Sequence, residues 1–198
     1  KDAIVLTKDQ NNWTNADVIV EAIYPQYSSD YIKEISTNGG STYSIYTKKV
    51  SVSQNCDVKA RVRKGEQVIL ESSLSISKID KDKPSAQVTV SKITFGVSAK
   101  ITGEDSGSGL NYSKCKYIMN NSATKLGEDE TLYTDGTLSK EEVSFKKVMA
   151  AGTYYVHVLV TDNVGNKNEI VSAGTVVDST KEYKYTGGAQ SVDLLPGK

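Results

Sequence analysis

The sequence predicts an all-β protein made of two β-sandwiches in tandem, and three observations lead to this prediction. First, Val, Ile, Thr and Tyr recur in short runs that alternate in polarity, as in "TYYVHVLV" (Thr153–Val160). Second, clusters of Gly, Asn, Asp and Ser separate these runs, and this spacing is typical of sandwiches and barrels. Third, no stretch carries the 3.6-residue apolar stripe of a helix, and one pattern of strands occurs twice.

The repeat is clearest in two segments of equal length, Asn55–Asp80 and Thr153–Asp178. Each predicts a strand, a turn and a second strand that ends in Asp. Upstream, Asp17–Ile23 matches Phe95–Ile101 as an early strand of each copy. Side chains alternate across a strand, so the inward-facing residues can be predicted. They are Val18, Val20, Ala22, Cys56, Val58, Ala60 and Val62 in the first copy, and Val97, Ala99, Ile101, Tyr154, Val156, Val158 and Val160 in the second.

The repeat also sets the expected domain limits, residues 1–80 and 81–179, with "KIDKDKP" (Lys78–Pro84) as a short, stiff junction. The second copy is longer. Its extra residues fall in Asn120–Glu142, which is polar and turn-rich, as a surface insertion should be. Residues 180–198 are interpreted as the truncated start of a further module, and we expect them to be disordered because an incomplete sandwich cannot bury its apolar face. The chain begins at Lys1 without Met, so we interpret it as a piece of a longer protein.

Composition argues against several classes of function. Lys+Arg and Asp+Glu both total 24, so the net charge is zero and no basic face is available for nucleic acid. No apolar run approaches the ~18 residues of a membrane helix, so we expect no membrane insertion. We expect a monomer.

The cysteines and the single histidine also argue against a reactive site. Alternation points Cys56 and Cys115 inward in separate cores, so we expect no disulfide. His157 aligns with outward-facing Lys59, so we expect it on the surface, with no partner for a catalytic triad or a zinc site. We therefore predict no catalytic residues and no cofactor.

Two loops have the oxygen-rich composition that a metal site needs. In "VTDNVGNKN" (Val160–Asn168), the aligned first copy "RKGEQ" (Arg63–Gln67) keeps a glycine, Gly65, and has lost the Asp and Asn residues. A turn tolerates that exchange and a calcium loop does not, so we interpret the stretch as a hairpin turn. In "GEDSGSGLN" (Gly103–Asn111), calcium could bind through Glu104, Asp105 and Asn111, but the spacing matches no EF-hand loop. We therefore predict no metal.

The stretch "YPQYSSDY" (Tyr24–Tyr31) is the best candidate for binding. Tyr24, Tyr27 and Tyr31 should lie on an end loop of the first sandwich, where such domains carry recognition residues, and Tyr offers a large contact at low entropic cost. The alternative is that one or two of these rings fill the rim of the core. We expect Trp13 to pack near the base of the first domain.

Several stretches together resemble the bacterial Ig-like repeats of Gram-positive surface and secreted proteins. They are "WTNADVIVEAI" (Trp13–Ile23), "GTYYVHVLVTDNVGNKN" (Gly152–Asn168) and "VVDST" (Val176–Thr180). The resemblance implies two tandem immunoglobulin-like β-sandwich domains that lie outside the cell. The first copy departs from the pattern at its turn. The stretch "EYKYTGGAQSVDLLPGK" (Glu182–Lys198) is similar to the opening of the glycine-rich modules that follow such arrays.

The function we expect is that of a non-catalytic spacer, or stalk, of a bacterial cell-surface or secreted protein. One alternative is an adhesin or carbohydrate-binding module, whose partner would be a host or bacterial surface glycan or protein. Another is an accessory domain of a large secreted enzyme. Surface Ig-like modules also sometimes crosslink Lys to Asn, and the sequence alone does not pair such residues here.

Overall fold

The computed structural model describes residues 3–178 and, beyond them, the backbone of two short paired strands, Tyr183–Lys184 and Asp193–Leu194. All described regular elements are β-strands except one 3-10 turn at Glu130–Leu132. The chain divides into two compact units. Unit 1 comprises Lys1–Pro84, Asp105–Leu110 and Thr161–Asn166, and unit 2 comprises Ser85–Glu104, Asn111–Val160 and Lys167–Lys198.

Unit 1 contains seven strands in two antiparallel sheets. The strands are β1 (Val5–Lys8), β2 (Val18–Ile23), β3 (Tyr31–Ser36), β4 (Ser44–Ile45), β5 (Val50–Val52), β6 (Cys56–Lys64) and β7 (Gln67–Ile76). One sheet has the order β1-β2-β5 and the other β4-β3-β6-β7.

The core of unit 1 forms where these two sheets face each other. Strand β6 alternates buried and half-exposed residues along its length, because every second side chain points to the same face. The buried cluster takes Val18, Val20, Ala22 and Val52 from the first sheet, and Ile35, Val58, Ala60, Val62 and Ile76 from the second. The two sheets therefore form one sandwich.

Unit 2 repeats this arrangement. Its main strands are β8 (Ser85–Ile93), β9 (Gly96–Glu104), β10 (Lys116–Asn120), β11 (Gly136–Thr137), β12 (Glu142–Val148), β13 (Gly152–Thr161), β14 (Lys167–Val171) and β15 (Thr175–Val177). The sheets have the orders β12-β9-β8 and β11-β10-β13-β14, and β15 also pairs with β13. The first, second and fifth strands thus form one sheet in each unit, and the third, fourth, sixth and seventh form the other.

This strand order defines two immunoglobulin-like β-sandwiches, which confirms the predicted fold class. The predicted core residues are confirmed as well. All fourteen are buried except Cys56, which is partly buried and packs against the core of unit 1. Cys56 and Cys115 are both free. The hairpin turns are also where we expected them, since Gly65 and Gly165 adopt positive φ angles of 58° and 95°.

Strand β13 departs from simple alternation, because from Val156 onward it is buried on both faces. The prediction that His157 lies on the surface is wrong, since its side chain is fully buried. The cause is the segment Asn120–Glu142, which is polar and turn-rich as predicted. However, it also supplies the buried side chains of Tyr133 and Leu138 and so forms part of the packed structure of unit 2.

The remaining structural predictions concern Trp13, membrane insertion, the domain limits and residues 180–198. Trp13 is 40% exposed. No helix in the described part of the chain has the length and hydropathy to cross a membrane. The domain limits at residues 80 and 179 stay a prediction. The predicted disorder of residues 180–198 lies outside the described residues, apart from the two short paired strands named above.

Candidate functional site

The three tyrosines predicted to bind a partner occupy different environments. Tyr24 is 9% exposed, and its hydroxyl donates to the carbonyl oxygen of Glu34 at 2.6 Å. Burial raises the pKa of Tyr24, and the neighbouring Tyr46 and Glu34 add to this effect. The rings of Tyr27 and Tyr31 stack with centroids 4.8 Å apart and are only partly buried against the core. Of the predicted contact residues, Tyr27 and Tyr31 therefore have exposed ring surface to offer.

A charged network links the neighbouring strands β3 and β6. The carboxylate of Glu34 is 6% exposed and accepts from Arg61 Nε at 2.7 Å and from Arg63 Nε at 3.0 Å. Arg61 also stacks on the ring of Tyr43, 3.7 Å from its centroid. Burial alone would raise the pKa of Glu34, but the two guanidinium groups outweigh it and hold the pKa below its usual value of 4.5. The network is satisfied internally, which is typical of a structural role.

Three carboxylates meet at one end of unit 1, and we call Asp80, Asp105 and Asp162 the three-aspartate cluster. One oxygen from each lies within 4.8 Å of the others. Asp80 and Asp162 are 4% and 1% exposed, whereas Asp105 is partly exposed. The three residues come from separate turns that follow β7, β9 and β13.

Each carboxylate of the cluster organises its own turn. Asp162 Oδ1 accepts from the backbone N–H groups of Val164, Gly165 and Asn166 at 2.9, 2.6 and 2.8 Å. Asp105 Oδ2 accepts from the N–H groups of residues 107 and 109 at 3.2 and 2.6 Å. Aspartate is favoured in turns because its side chain can bond to the backbone two residues ahead. The stretch "DNVGN" is thus a turn, as predicted.

Asp80 connects the turn at residues 105–109 to the segment that follows β7, the last strand of the unit 1 sheets. Its Oδ2 accepts from the backbone N–H of Ser108 at 2.6 Å, and its Oδ1 from Asp82 at 3.2 Å. A Cβ atom at Gly107 would overlap the Asp80 carboxyl group, so only glycine allows this approach. The backbone of "EDSGSG" is therefore shaped to receive a carboxylate from a distant part of the sequence.

The surroundings of Asp105 disfavour its ionised form. Burial is the largest effect and raises the pKa of Asp105 above its usual 3.8. The negative charges of Asp80 and Asp162 raise it further, while the N–H groups of residues 109 and 107 lower it in part. Like charges at this distance disfavour one another's ionised form.

The cluster is also where a metal could be held in the described part of the chain. Carboxylate oxygens are the ligands that Ca²⁺ prefers, although Ca²⁺ takes about six to eight oxygens and three carboxylates supply only some of them. Of the predicted metal candidates, Asp105 belongs to the cluster. Glu104 accepts instead from Ser85 Oγ at 3.0 Å, and Asn111 accepts from Ser113 Oγ at 2.7 Å.

Sequence reasoning missed Asp80 and Asp162 as neighbours of Asp105. Each turn on its own has the composition of an ordinary Asx turn, and the alignment of the two copies correctly identified "DNVGN" as one. The signal that could have revealed the cluster is the combination of an acid in both polar loops with an acid at the end of β7.

His157 is the largest departure from the expected site chemistry. Its Nδ1 lies 3.1 Å from Glu169 Oε1 and its Nε2 lies 2.7 Å from the carbonyl oxygen of Ser122. A catalytic histidine would face a hydroxyl or thiol that it could deprotonate. The hydrogen-bond partners of His157 are instead a carboxylate and a carbonyl, which act as acceptors.

Comparisons with known proteins add little to this description. No protein-family model matches the chain, and no curated protein matches it. Among solved structures, the fibronectin(III)-like modules of CbhA from Clostridium thermocellum are similar, with 13% identity, a TM-score of 0.36, and coverage of 84% of this chain and 91% of that one. The chicken interferon gamma receptor alpha chain is similar with 10% identity and a TM-score of 0.33, covering 89% and 97%.

The fold itself defines the class of protein. Both units are immunoglobulin-like sandwiches by their own strand order, and this holds without reference to any neighbour. Because such a sandwich hosts many functions, a function must be argued from the sites described above.

Proposed function

We propose that this chain is a non-catalytic spacer of a bacterial surface or secreted protein, and that it projects another domain. The observation that carries the proposal is how firmly unit 1 holds the segment that follows β7. We call this segment, Lys78–Pro84, the junction segment. A spacer needs such a segment to be stiff, whereas a flexible tether leaves its backbone to water.

The start of the junction segment is bound on both sides. The backbone of Thr14 donates to the carbonyl of Lys78 at 3.0 Å and accepts from the N–H of Asp80 at 2.9 Å. The Asn55 side chain bonds to both the N–H and the carbonyl of Ile79, each at 2.8 Å. Ile79 and Asp80 are only 5% and 4% exposed. This burial requires the backbone groups to be paired, and they are.

The middle of the junction segment is held by side chains from three other parts of unit 1. Asn166 Nδ2 donates to the carbonyl of Asp80 at 3.0 Å, and the backbone N–H of Ser108 donates to the Asp80 carboxylate at 2.6 Å. Lys81 forms an ion pair with Asp17 at 2.5 Å. The hydrogen bonds to Asp80 are made at a buried position and favour a single backbone conformation, which suits a stiff linker between modules.

The test is the amplitude of backbone motion in the junction segment. We expect ¹⁵N order parameters of about 0.85 at Ile79 and Asp80, the value of a rigid backbone. Asn55→Ala should lower them, because it removes both bonds to Ile79, whereas Asn11→Ala, at an exposed loop position, should not. Order parameters below about 0.6 in the unchanged protein would contradict the stiff-spacer proposal.

A location outside the cell is a more specific proposal than the fold class. Its support is the resemblance to the Ig-like repeats of Gram-positive surface and secreted proteins. We place the chain outside the cell on that basis. Antibodies against this chain should label intact cells of the source bacterium or its culture medium. Labelling only after cell lysis would contradict the setting without affecting the spacer proposal. The glycine-rich module expected at residues 180–198 stays a prediction.

The adhesin or carbohydrate-binding alternative also stays a prediction, and Tyr27 and Tyr31 would be its contacts. No described contact favours it over a structural role, because both rings pack against the core and Lys64 Nζ lies over the Tyr31 ring at 4.9 Å. Glycan-array binding that is lost in Tyr27→Ala would revive it. An accessory domain of a large secreted enzyme fits the spacer proposal equally well.

A further inference from the structure

Unit 2 contains a buried pair of titratable groups that has no part in the proposed spacer function. His157 on β13 is fully buried, and Glu169 on β14 is 6% exposed. The segment Ser122–Tyr133, which we call the covering loop, lies over both side chains. Such a pair is costly to bury unless each group is fully hydrogen-bonded, so the bonding pattern specifies the protonation state.

The hydrogen-bond partners of His157 assign a proton to each ring nitrogen. Nε2 faces the carbonyl oxygen of Ser122 at 2.7 Å, and a carbonyl only accepts, so Nε2 must donate. Nδ1 faces Glu169 Oε1 at 3.1 Å, and an ionised carboxylate likewise only accepts. A neutral imidazole has one N–H and would leave a lone pair directed at an oxygen. The geometry is therefore that of an imidazolium cation.

Glu169 is correspondingly arranged as an anion. Its Oε1 accepts from the backbone N–H of Leu126 and its Oε2 from that of Gly127, both at 2.8 Å. Burial by itself would raise the pKa of Glu169, but these two N–H groups, together with His157 and the Tyr133 hydroxyl, lower it below its usual 4.5. The same hydroxyl donates to the carbonyl of Gly127 at 2.6 Å.

We propose that His157 and Glu169 form a pH-dependent clasp that holds the covering loop against β13 and β14. The loop has three anchors in the clasp: the carbonyl of Ser122 on the histidine, and the N–H groups of Leu126 and Gly127 on the glutamate. Loss of the histidine charge leaves an acceptor facing an acceptor, either at the Ser122 anchor or between the ring and Glu169. Loss of the glutamate charge weakens the acceptor for Leu126 and Gly127.

The groups that face the clasp come from each element around it. Glu169 faces His157 from β14, and Ser122 and Tyr133 face it from the covering loop. At the rim, Lys167 Nζ bonds to the carbonyl of Glu128 at 3.1 Å and to the Glu130 carboxylate at 3.2 Å. The rim pair is partly exposed, whereas His157 and Glu169 are buried. We therefore expect the pH response of the loop to arise in the clasp.

The direction of the response follows from the two charges. As pH rises, His157 loses one proton, and the ring nitrogen that loses it directs a lone pair at an oxygen, either the Ser122 carbonyl or Glu169 Oε1. That contact becomes repulsive, and the loop loosens. The pKa of Glu169 is lowered in the folded protein, so its ionised form stabilises the loop throughout the range above the usual glutamate pKa. This stabilisation is lost only when pH falls through the lower folded pKa. The loop is thus held most tightly between these two limits.

The test combines two NMR measurements on the intact chain. His157 is the single histidine, so the imidazole ¹⁵N resonances report its protonation without ambiguity. Amide hydrogen exchange of Leu126 and Gly127, corrected for intrinsic rates, reports how often the covering loop opens and exposes these amides. We expect both ring nitrogens to be protonated while these amides are protected. Protection should fall about tenfold or more at the same pH at which the ring loses a proton, since a charge-assisted bond is lost.

Two variants and one internal control separate this clasp from general unfolding. His157→Gln cannot titrate, so the pH-dependent step in Leu126 and Gly127 should disappear. Tyr133→Phe removes the hydroxyl that donates to the carbonyl of Gly127 and leaves the His157–Glu169 pair in place, so the step should remain. Amides of β9 report the global stability of unit 2 and should stay protected throughout. A neutral ring beneath a protected loop, or protection that persists until β9 also exchanges, would overturn the proposal, and both can be observed without any variant.

Discussion

At the scale of single residues, the three-aspartate cluster concentrates charge that the fold must tolerate. The carboxylate of Asp105 is the one whose pKa is raised, so at neutral pH its ionised form is less favourable in the folded chain than in the unfolded chain. Asp105→Asn keeps an oxygen that can accept from the N–H groups of residues 107 and 109. We therefore expect a rise in melting temperature of a few degrees at most, measured by calorimetry at neutral pH.

The same variant tests the prediction that no metal binds. We expect the unchanged protein to melt at the same temperature in EDTA and in calcium, and Asp105→Asn to be more stable in both. A bound cation would reverse the order in calcium, because it stabilises the folded state by mass action and needs the Asp105 charge. Stabilisation of the unchanged protein by calcium, absent from the variant, would therefore disprove the no-metal prediction.

A second residue-scale prediction concerns Glu34, which is buried between two arginines. Its lowered pKa means that the pair stabilises the fold above the usual glutamate range, and that this contribution disappears as pH falls through the folded value. Glu34→Gln should cost about 1–3 kcal/mol at neutral pH, the range for hydrogen bonds to charged groups. The difference from the unchanged protein should shrink in strong acid, as measured by urea unfolding.

The matched control is Glu21→Gln, which removes an exposed pair with Lys49 at 2.9 Å. Exposed ion pairs contribute little, so this change should cost less than about 1 kcal/mol. Equal losses from both variants would show that the buried position of Glu34 does not matter.

At the scale of elements, polarity alternation predicted the strands because each sandwich buries one face of each sheet. This worked for β6, whose inward residues Val58, Ala60 and Val62 are buried and whose Cys56 is partly buried against the core. It failed for one face of β13. Alternation states which residues share a face, but it does not state whether a loop from elsewhere covers that face. The burial of His157 depends on the covering loop, whose polar composition gives no sign of it.

The candidate site was predictable only in part for a similar reason. Asp105 was identified as a possible ligand from the composition of its own loop. Its neighbours Asp80 and Asp162 belong to other turns, and the separation in sequence conceals that the fold brings the three together. Local chemistry is visible in a single sequence, whereas the meeting of three turns is a property of the tertiary structure.

The role of the segment Asn120–Glu142 leads to a prediction at this scale. Leu138 is fully buried and lies next to β11, whereas Leu132, in the same segment, is 44% exposed. Leu138→Ala should lower the free energy of unfolding by about 2–4 kcal/mol, because it removes buried methyl groups and leaves a cavity. Leu132→Ala is the matched control and should cost far less. Similarly small losses of unfolding free energy in both variants, measured by urea unfolding, would show that the segment is only a surface insertion.

At the scale of the whole molecule, one scaffold is used twice with different means of fixing its loops. Unit 1 fixes its end turns with three carboxylates that bond to backbone N–H groups. Unit 2 fixes the covering loop with a buried histidine and glutamate. In both, the polar side chains that break the sequence pattern serve to hold backbone that no sheet can pair, which is the requirement for any buried loop.

The last prediction concerns a covalent bond between strands. A Lys–Asn crosslink of the kind found in surface Ig-like modules forms where a buried acid assists a lysine that is itself shielded from water. Among residues 3–178, no lysine side chain is buried. The buried acids are engaged otherwise: Glu34 with arginines, Glu169 with His157, and Asp80 and Asp162 with backbone N–H groups. We therefore expect the intact mass of the purified chain to equal the mass calculated from its sequence. A mass lower by one ammonia, accompanied by a crosslinked Lys–Asn peptide after proteolysis, would contradict this.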